Sequence, residues 1–69
     1  MHEMAVSEDI LRIVTAYAER GGAKKVTHVY LVIGELSSFV DDSIQFYFNL
    51  LTPGTIVEGA ELHFERIKT

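Results

Sequence analysis

Cysteine is absent from this sequence of 69 residues, so neither disulfide bridges nor thiolate metal sites can form. The absence of cysteine fits a reducing compartment, and we expect the protein to be cytoplasmic. The sequence contains no run of 18 apolar residues, which predicts that no segment spans a membrane. The first residues also lack the basic segment and apolar run of a secretory signal peptide, so we expect none.

Basic residues are few. The sequence has six Lys and Arg and ten Asp and Glu, which gives a net charge of −4. Phosphate contacts need clustered cations, so this balance argues against nucleic acid as a partner. The sequence also lacks a P-loop, a dinucleotide-binding glycine motif and the glycine-flanked serine of hydrolases, and its histidines are far apart. We therefore expect a protein that is not an enzyme.

The first third of the sequence predicts one helix, over residues 4 to about 20. Gly21 and Gly22 end the pattern, as glycine commonly does past a helix C-terminus. Apolar residues recur at helical spacing within it, namely Val6, Ile10, Ile13, Val14 and Tyr17.

Two strands and a second helix follow. Residues 25–33 are rich in β-branched and aromatic residues. Apolar side chains stand at both odd and even positions, which is typical of a parallel strand covered on both faces. Asp41, Asp42 and Ser43 offer N-cap chemistry for a second helix, which ends before Pro53. The face of this helix is formed by Ile44, Phe48 and Leu51. Residues 61–68 alternate, which predicts a half-buried strand with Leu62 and Phe64 inward.

The order α-β-α-β predicts an α/β (α+β) fold with two helices packed on one face of a small mixed β-sheet, in a single domain over residues 1–69. A helix between the strands allows them to be parallel neighbours. Two strands make a poor sheet on their own, so we expect the last strand to find a partner. The simplest arrangement is a homodimer joined through the exposed sheet edge.

The N-terminus carries the clearest chemical signal, because histidine stands at position two. The amine of Met1, the backbone nitrogen of His2 and its imidazole can bind one ion through a five-membered and a six-membered ring. Ni(II) and Cu(II) favour such square-planar nitrogen sites. The alternative set comprises the backbone nitrogens of Met1, His2 and Glu3, with an imidazole as the fourth donor. The residues alone leave both sets open.

Four segments carry a family resemblance: Met1-His2-Glu3-Met4, Gly22-Ala23-Lys24-Lys25-Val26, Ile33-Gly34-Glu35-Leu36-Ser37 and Gly54-Thr55-Ile56-Val57-Glu58-Gly59-Ala60. In their order and spacing they resemble the nickel-binding half of HypA/HybF-type metallochaperones, and they extend over nearly the whole chain. The first and third segments are the most specific.

The resemblance implies that Met1, His2 and Glu3 bind the nickel ion, Ni(II), for maturation of NiFe hydrogenase, and in some organisms of urease. It also implies a HypB-type GTPase as partner and the hydrogenase large subunit as an indirect one. In the family a zinc-binding insert with two C-x-x-C pairs follows, and the chain then returns to add a third strand. These 69 residues contain neither the insert nor that strand, so we expect no zinc in this chain.

Other polar residues carry weaker signals. Glu35, in the motif after the first strand, is an additional candidate for orienting the metal site. Asp41 is a further candidate, although we expect Asp41 and Asp42 chiefly as helix caps. His28 is expected as a partly exposed residue in the middle of the first strand. His63 is expected to point outward on the last strand, without a metal role.

The function that these signals favour is nickel binding and delivery. The alternative is a protein-interaction domain that docks on the GTPase and holds metal only in the complex. For a docking surface we expect the N-terminal part of the first helix, where Glu3, Glu8 and Asp9 provide negative charge. A patch of Phe39, Phe46 and Tyr47 either contacts a partner or completes the core.

Overall fold

The structure is a computed structural model that describes residues 3–34 and 40–68. Helix α1 spans Glu3–Arg20, strand β1 His28–Gly34, helix α2 Asp41–Leu51 and strand β2 Glu61–Ile67. The predicted order α-β-α-β and the α+β class are confirmed. Across the described ranges, neither helix is long and apolar enough to cross a membrane.

The sheet consists of β1 and β2, which run parallel with His28 opposite Glu61 and Gly34 opposite Ile67. A mixed sheet would need an antiparallel strand, and residues 3–34 and 40–68 contain none. The parallel pairing follows from the intervening helix α2, since parallel neighbours need a crossover connection. Strand β1 begins three residues later than the sequence predicted, although Thr27 just before it accepts a hydrogen bond from Glu61 (2.9 Å).

Helix α1 ends where the sequence predicted, at a pair of glycines. Gly22 has a φ of 73°, the left-handed conformation that favours glycine. Its N–H donates to the Glu19 carbonyl, and the Ala23 N–H donates to the Ala18 carbonyl at 2.9 Å. These two bonds form a Schellman motif, which satisfies carbonyls that the helix end would leave unpaired.

The apolar stripe of α1 is only partly buried. Ile10 is buried, whereas Ile13 and Tyr17 are 45% and 68% exposed. Helix α1 has 18 residues and α2 has 11, so α1 is longer by about 10 Å at 1.5 Å per residue. The C-terminal turns of α1 extend past the shorter helix, which leaves the stripe residues Ile13 and Tyr17 outside the core.

The two helices meet at Ser7, a fully buried residue of α1. Its hydroxyl lies 3.0 Å from the Ile44 carbonyl of α2 and 2.8 Å from the Glu3 carbonyl of its own helix. A small side chain lets the helices approach closely, and these two acceptors satisfy its polar atom. The start of α1 is thereby held beside the start of α2.

Helix α2 begins differently from the prediction. Its N-cap residue is Val40, whose side chain can make no capping bond, and Asp41 and Asp42 lie in the first turn. The expectation that these aspartates cap the helix is therefore wrong, because the helix begins one residue earlier than a capping Asp41 requires. Their charge still suits the positive end of the helix dipole. The C-terminal end agrees with the prediction, since Thr52 follows the last helical residue.

The core lies between the helices and one face of the sheet. Buried apolar residues from every element compose it, namely Ile10, Val29, Ile44, Phe48, Val57, Ala60 and Leu62. The opposite face of β1 is open, since Tyr30 and Val32 are 76% and 59% exposed. The expectation that both faces of this strand are covered is therefore wrong for the described residues, whose two helices contribute to one core.

Candidate metal-binding sites

Glu3 is the one N-terminal candidate ligand within the described residues, and it is the first residue of α1. Its Oε2 accepts a long hydrogen bond of 3.4 Å from the Val40 N–H, at the start of α2. The Glu3 N–H belongs to the first turn, where backbone donors have no acceptor within the helix. Met1, His2 and Glu35 lie outside the described residues.

Asp41 also lies at this junction but is engaged in an ion pair. Its Oδ1 is 2.6 Å from Nη2 of Arg66, near the end of β2. The two side chains are 39% and 30% exposed, so the pair is worth about 0–1 kcal/mol at most. A metal ion that recruited Asp41 would have to compete with this guanidinium. The structure therefore brings Glu3 and the start of α2 together, and directs the Asp41 carboxylate to β2.

A second group of candidate ligands lies elsewhere, where the two strands begin. It consists of His28 on β1 with Glu61 and His63 on β2, and one ligand atom from each lies within 4.8 Å of the others. Nδ1 of His28 is 3.0 Å from Nε2 of His63, which is 3.8 Å from Oε2 of Glu61. We call these three residues the strand cluster.

Tyr30 packs against the strand cluster on the open sheet face. Its ring stacks on that of His63 with centroids 4.6 Å apart and an interplanar angle of 14°. The parallel register places Tyr30 opposite His63 and His28 opposite Glu61, so all four side chains share a face. This confirms the outward placement predicted for His63, and His28 is exposed but is the first residue of β1 rather than a mid-strand residue.

The strand cluster was not predicted from the sequence, because His28 and His63 are 35 residues apart. The motif Glu61-Leu62-His63 does place two ligand types on one face of a strand. The third ligand, His28, is supplied by the pairing register, which strand periodicity alone does not fix.

The structure describes two residues of the predicted aromatic patch, Phe46 and Tyr47. Phe46 is 58% exposed and contacts Tyr47 edge to face at a centroid distance of 5.4 Å. Tyr47 is half-buried, and Phe39 lies outside the described residues. Phe46 is thus a surface residue, and the exposed Leu50 lies one helical turn further along α2.

A family model described as "Hydrogenase/urease nickel incorporation, metallochaperone, hypA" matches residues 1–69. The chain belongs to this family. The resemblance seen in the sequence is thereby confirmed. The HypA family is one of metallochaperones, whose task is nickel incorporation rather than turnover of a substrate.

Several curated relatives carry the name hydrogenase maturation factor HypA. The protein of Caldanaerobacter subterraneus subsp. tengcongensis is 43% identical over 68 residues, which are 99% of this chain and 60% of that protein. The protein of Dehalococcoides mccartyi is 40% identical over 67 residues, covering 97% of this chain and 56% of the relative. That of Thermococcus gammatolerans is 46% identical over 65 residues, covering 94% and 47%. The chain thus spans about half the length of these HypA proteins.

Proposed function

We propose that residues 1–69 form a nickel-binding domain that holds Ni(II) through Met1, His2 and Glu3 and hands it to a maturing enzyme. The observation that carries this proposal is the Met1-His2-Glu3 start of a chain that belongs to the HypA family. The cargo is the nickel ion, and the chain itself carries out no turnover. Titration of the isolated chain with Ni(II) separates this function from the alternative, in which metal is held only in a complex with the GTPase.

The contacts of Glu3 favour one of the two donor sets. Its carboxylate accepts the Val40 N–H, whereas its own N–H has no acceptor within the helix. A backbone nitrogen without a helical acceptor can be deprotonated for a metal without breaking a helical hydrogen bond. We therefore favour the backbone nitrogens of Met1, His2 and Glu3, with an imidazole as the fourth donor and Glu35 and Asp41 as further candidates.

A partner must accept the metal, and we propose a HypB-type GTPase, with the hydrogenase large subunit served indirectly. Glu8 and Asp9 are exposed on the second turn of α1, close in sequence to the proposed nickel ligands. Asp9 pairs with Arg12 at 3.5 Å, but both side chains are largely exposed, so this pair leaves the surface accessible. Negative charge here would guide a partner that carries a basic patch.

Reversing the charge at Glu8 and Asp9 together, to lysine, should slow association with the GTPase and flatten its salt dependence. Electrostatic steering raises association rates by about 10-fold or more at low salt, so a loss of similar size is expected. Stopped-flow measurement over a series of salt concentrations tests this. The matched control reverses Glu19 and Glu65, which are exposed and change the net charge equally. Equal association rates for the two variants would exclude this surface.

We also propose that the isolated 69-residue polypeptide self-associates through a sheet edge. The Glu61 N–H donates toward β1, so the Leu62 N–H points to the opposite side of β2, where it donates to Oε1 of Gln45 at 2.8 Å. Gln45 thus covers one edge position, and the alternation predicts that the Phe64 N–H also points outward. Such an edge is a template for pairing with another chain.

Sedimentation at tens of micromolar should give about twice the 7.8 kDa chain mass. Hydrogen exchange of the Phe64 amide should slow as the concentration rises, because pairing protects an outward N–H. A folded species at the monomer mass would contradict this prediction.

A further inference from the structure

The open face of the sheet carries three candidate metal ligands besides those of the proposed N-terminal nickel site. His28 and Glu61 are the first residues of the two strands, and His63 lies next to them. Two imidazoles and a carboxylate suit Ni(II), Cu(II) and Zn(II). His28 and Glu61 are exposed, and His63 is half-buried on the open face of the sheet. An ion can therefore reach all three side chains from solvent.

The distances within the strand cluster fit a single ion. Two nitrogens that each lie about 2.1 Å from a metal are about 3.0 Å apart at a right angle and about 3.4 Å apart in a tetrahedron. The separation of 3.0 Å between Nδ1 of His28 and Nε2 of His63 matches this range. Oε2 of Glu61 is 3.8 Å from Nε2 of His63. A small rotation of the exposed Glu61 side chain brings it within reach.

The orientation of the two rings is set by other contacts. Tyr30 stacks on the His63 ring, and the parallel register fixes His28 beside it. In the metal-free chain one of the two facing nitrogens donates the hydrogen bond, and the tautomers decide which one. When the donating imidazole changes tautomer, its proton moves to the other ring nitrogen, and both facing nitrogens then offer a lone pair to a divalent ion. The arrangement is thus prepared for coordination without a change of the backbone.

We propose that His28, Glu61 and His63 form a second metal site, which binds a divalent first-row ion of the Ni(II), Cu(II) and Zn(II) group. With three protein ligands, the remaining positions are open to water, as in exchangeable rather than structural sites. The site lies at the opposite end of β2 from the contact between Arg66 and Asp41. Arg66, which pairs with Asp41 at the helix junction, lies five residues along β2 from Glu61, or about 16 Å at 3.3 Å per residue.

The test measures how many metal ions bind to a variant that lacks the N-terminal site. A chain without an affinity tag, with one glycine before Met1 and with His2→Ala, is titrated separately with Ni(II) and Zn(II) by calorimetry. We expect about one ion per chain, with ring signals of His28 and His63 perturbed in NMR spectra. Replacing both histidines by asparagine in this background should weaken binding by more than about tenfold. Circular dichroism checks that each variant is folded.

The carboxylate has a matched control on the same strand and face. Glu61→Gln should weaken binding, whereas Glu65→Gln should leave it unchanged, because Glu65 lies opposite Val32, on the far side of His63 from His28. No saturable binding in the blocked chain, or binding that survives the loss of both histidines, would overturn the second site. Neither result affects the N-terminal site, because that site is measured with a native N-terminus and with His28 and His63 replaced.

Discussion

Acetylating the amine of Met1 should lower the affinity for Ni(II) by more than about 100-fold. Acetylation removes the amine as a ligand, and loss of a direct ligand should exceed the 10–100-fold typical of groups that only support ligands. His2→Ala should act similarly, because it removes the imidazole. The measurement is competitive titration in a background where His28 and His63 are asparagine, so that only the N-terminal site is counted.

The matched control amidates the C-terminal carboxylate of Thr69, which also removes a terminal charge but leaves the amine in place. It should bind about one Ni(II) per chain with the native affinity. Binding should weaken as the pH falls, because the ligand nitrogens must lose protons to coordinate. Cu(II) should bind more tightly than Ni(II), as its place in the affinity series requires. If the acetylated chain bound nickel as tightly as this control, the proposed site would be wrong.

Phe48→Ala should leave the domain largely unfolded at room temperature. Phe48 is fully buried in the core, where Ile44 and Val57 are also buried. Truncation of a buried phenylalanine costs about 3–5 kcal/mol, through lost burial and the cavity left behind. At about 0.05–0.15 kcal/mol per residue, the whole free energy of unfolding of 69 residues is about 3–10 kcal/mol. One side chain therefore accounts for much of the stability.

Phe46→Ala is the control, because this phenylalanine lies two residues away on the same helix and is 58% exposed. It loses an edge-to-face contact with Tyr47, worth about 0.5–1.5 kcal/mol. Urea unfolding followed by circular dichroism compares the two variants with the parent chain. A loss of less than about 1 kcal/mol for Phe48→Ala would show that the core is not packed as described.

The elements of the fold were accessible to sequence reasoning because their signals are local. The glycines that end α1, the proline that follows α2 and the alternation around Leu62 depend only on near neighbours in the chain. The start of α2 was misjudged because several residues there can cap a helix, and the backbone of Val40 settles the choice. The exposure of Ile13 and Tyr17 could not be predicted, because helical spacing gives a face but not the length of the neighbouring element.

The candidate sites differ in the same respect, since one is formed by neighbours in sequence and the other by distant residues. The N-terminal motif of Met1, His2 and Glu3 is contiguous, so the sequence alone named it, together with its ring chemistry and the HypA family. The strand cluster depends on His28 and Glu61 being paired in a parallel sheet, and only the tertiary structure decided that register. The contact between Glu3 and Val40 likewise joins residues 37 positions apart. Local patterns determine elements and contiguous ligands, whereas ligands from distant segments meet only through packing, since a shift of one residue in register would turn an entire strand face away.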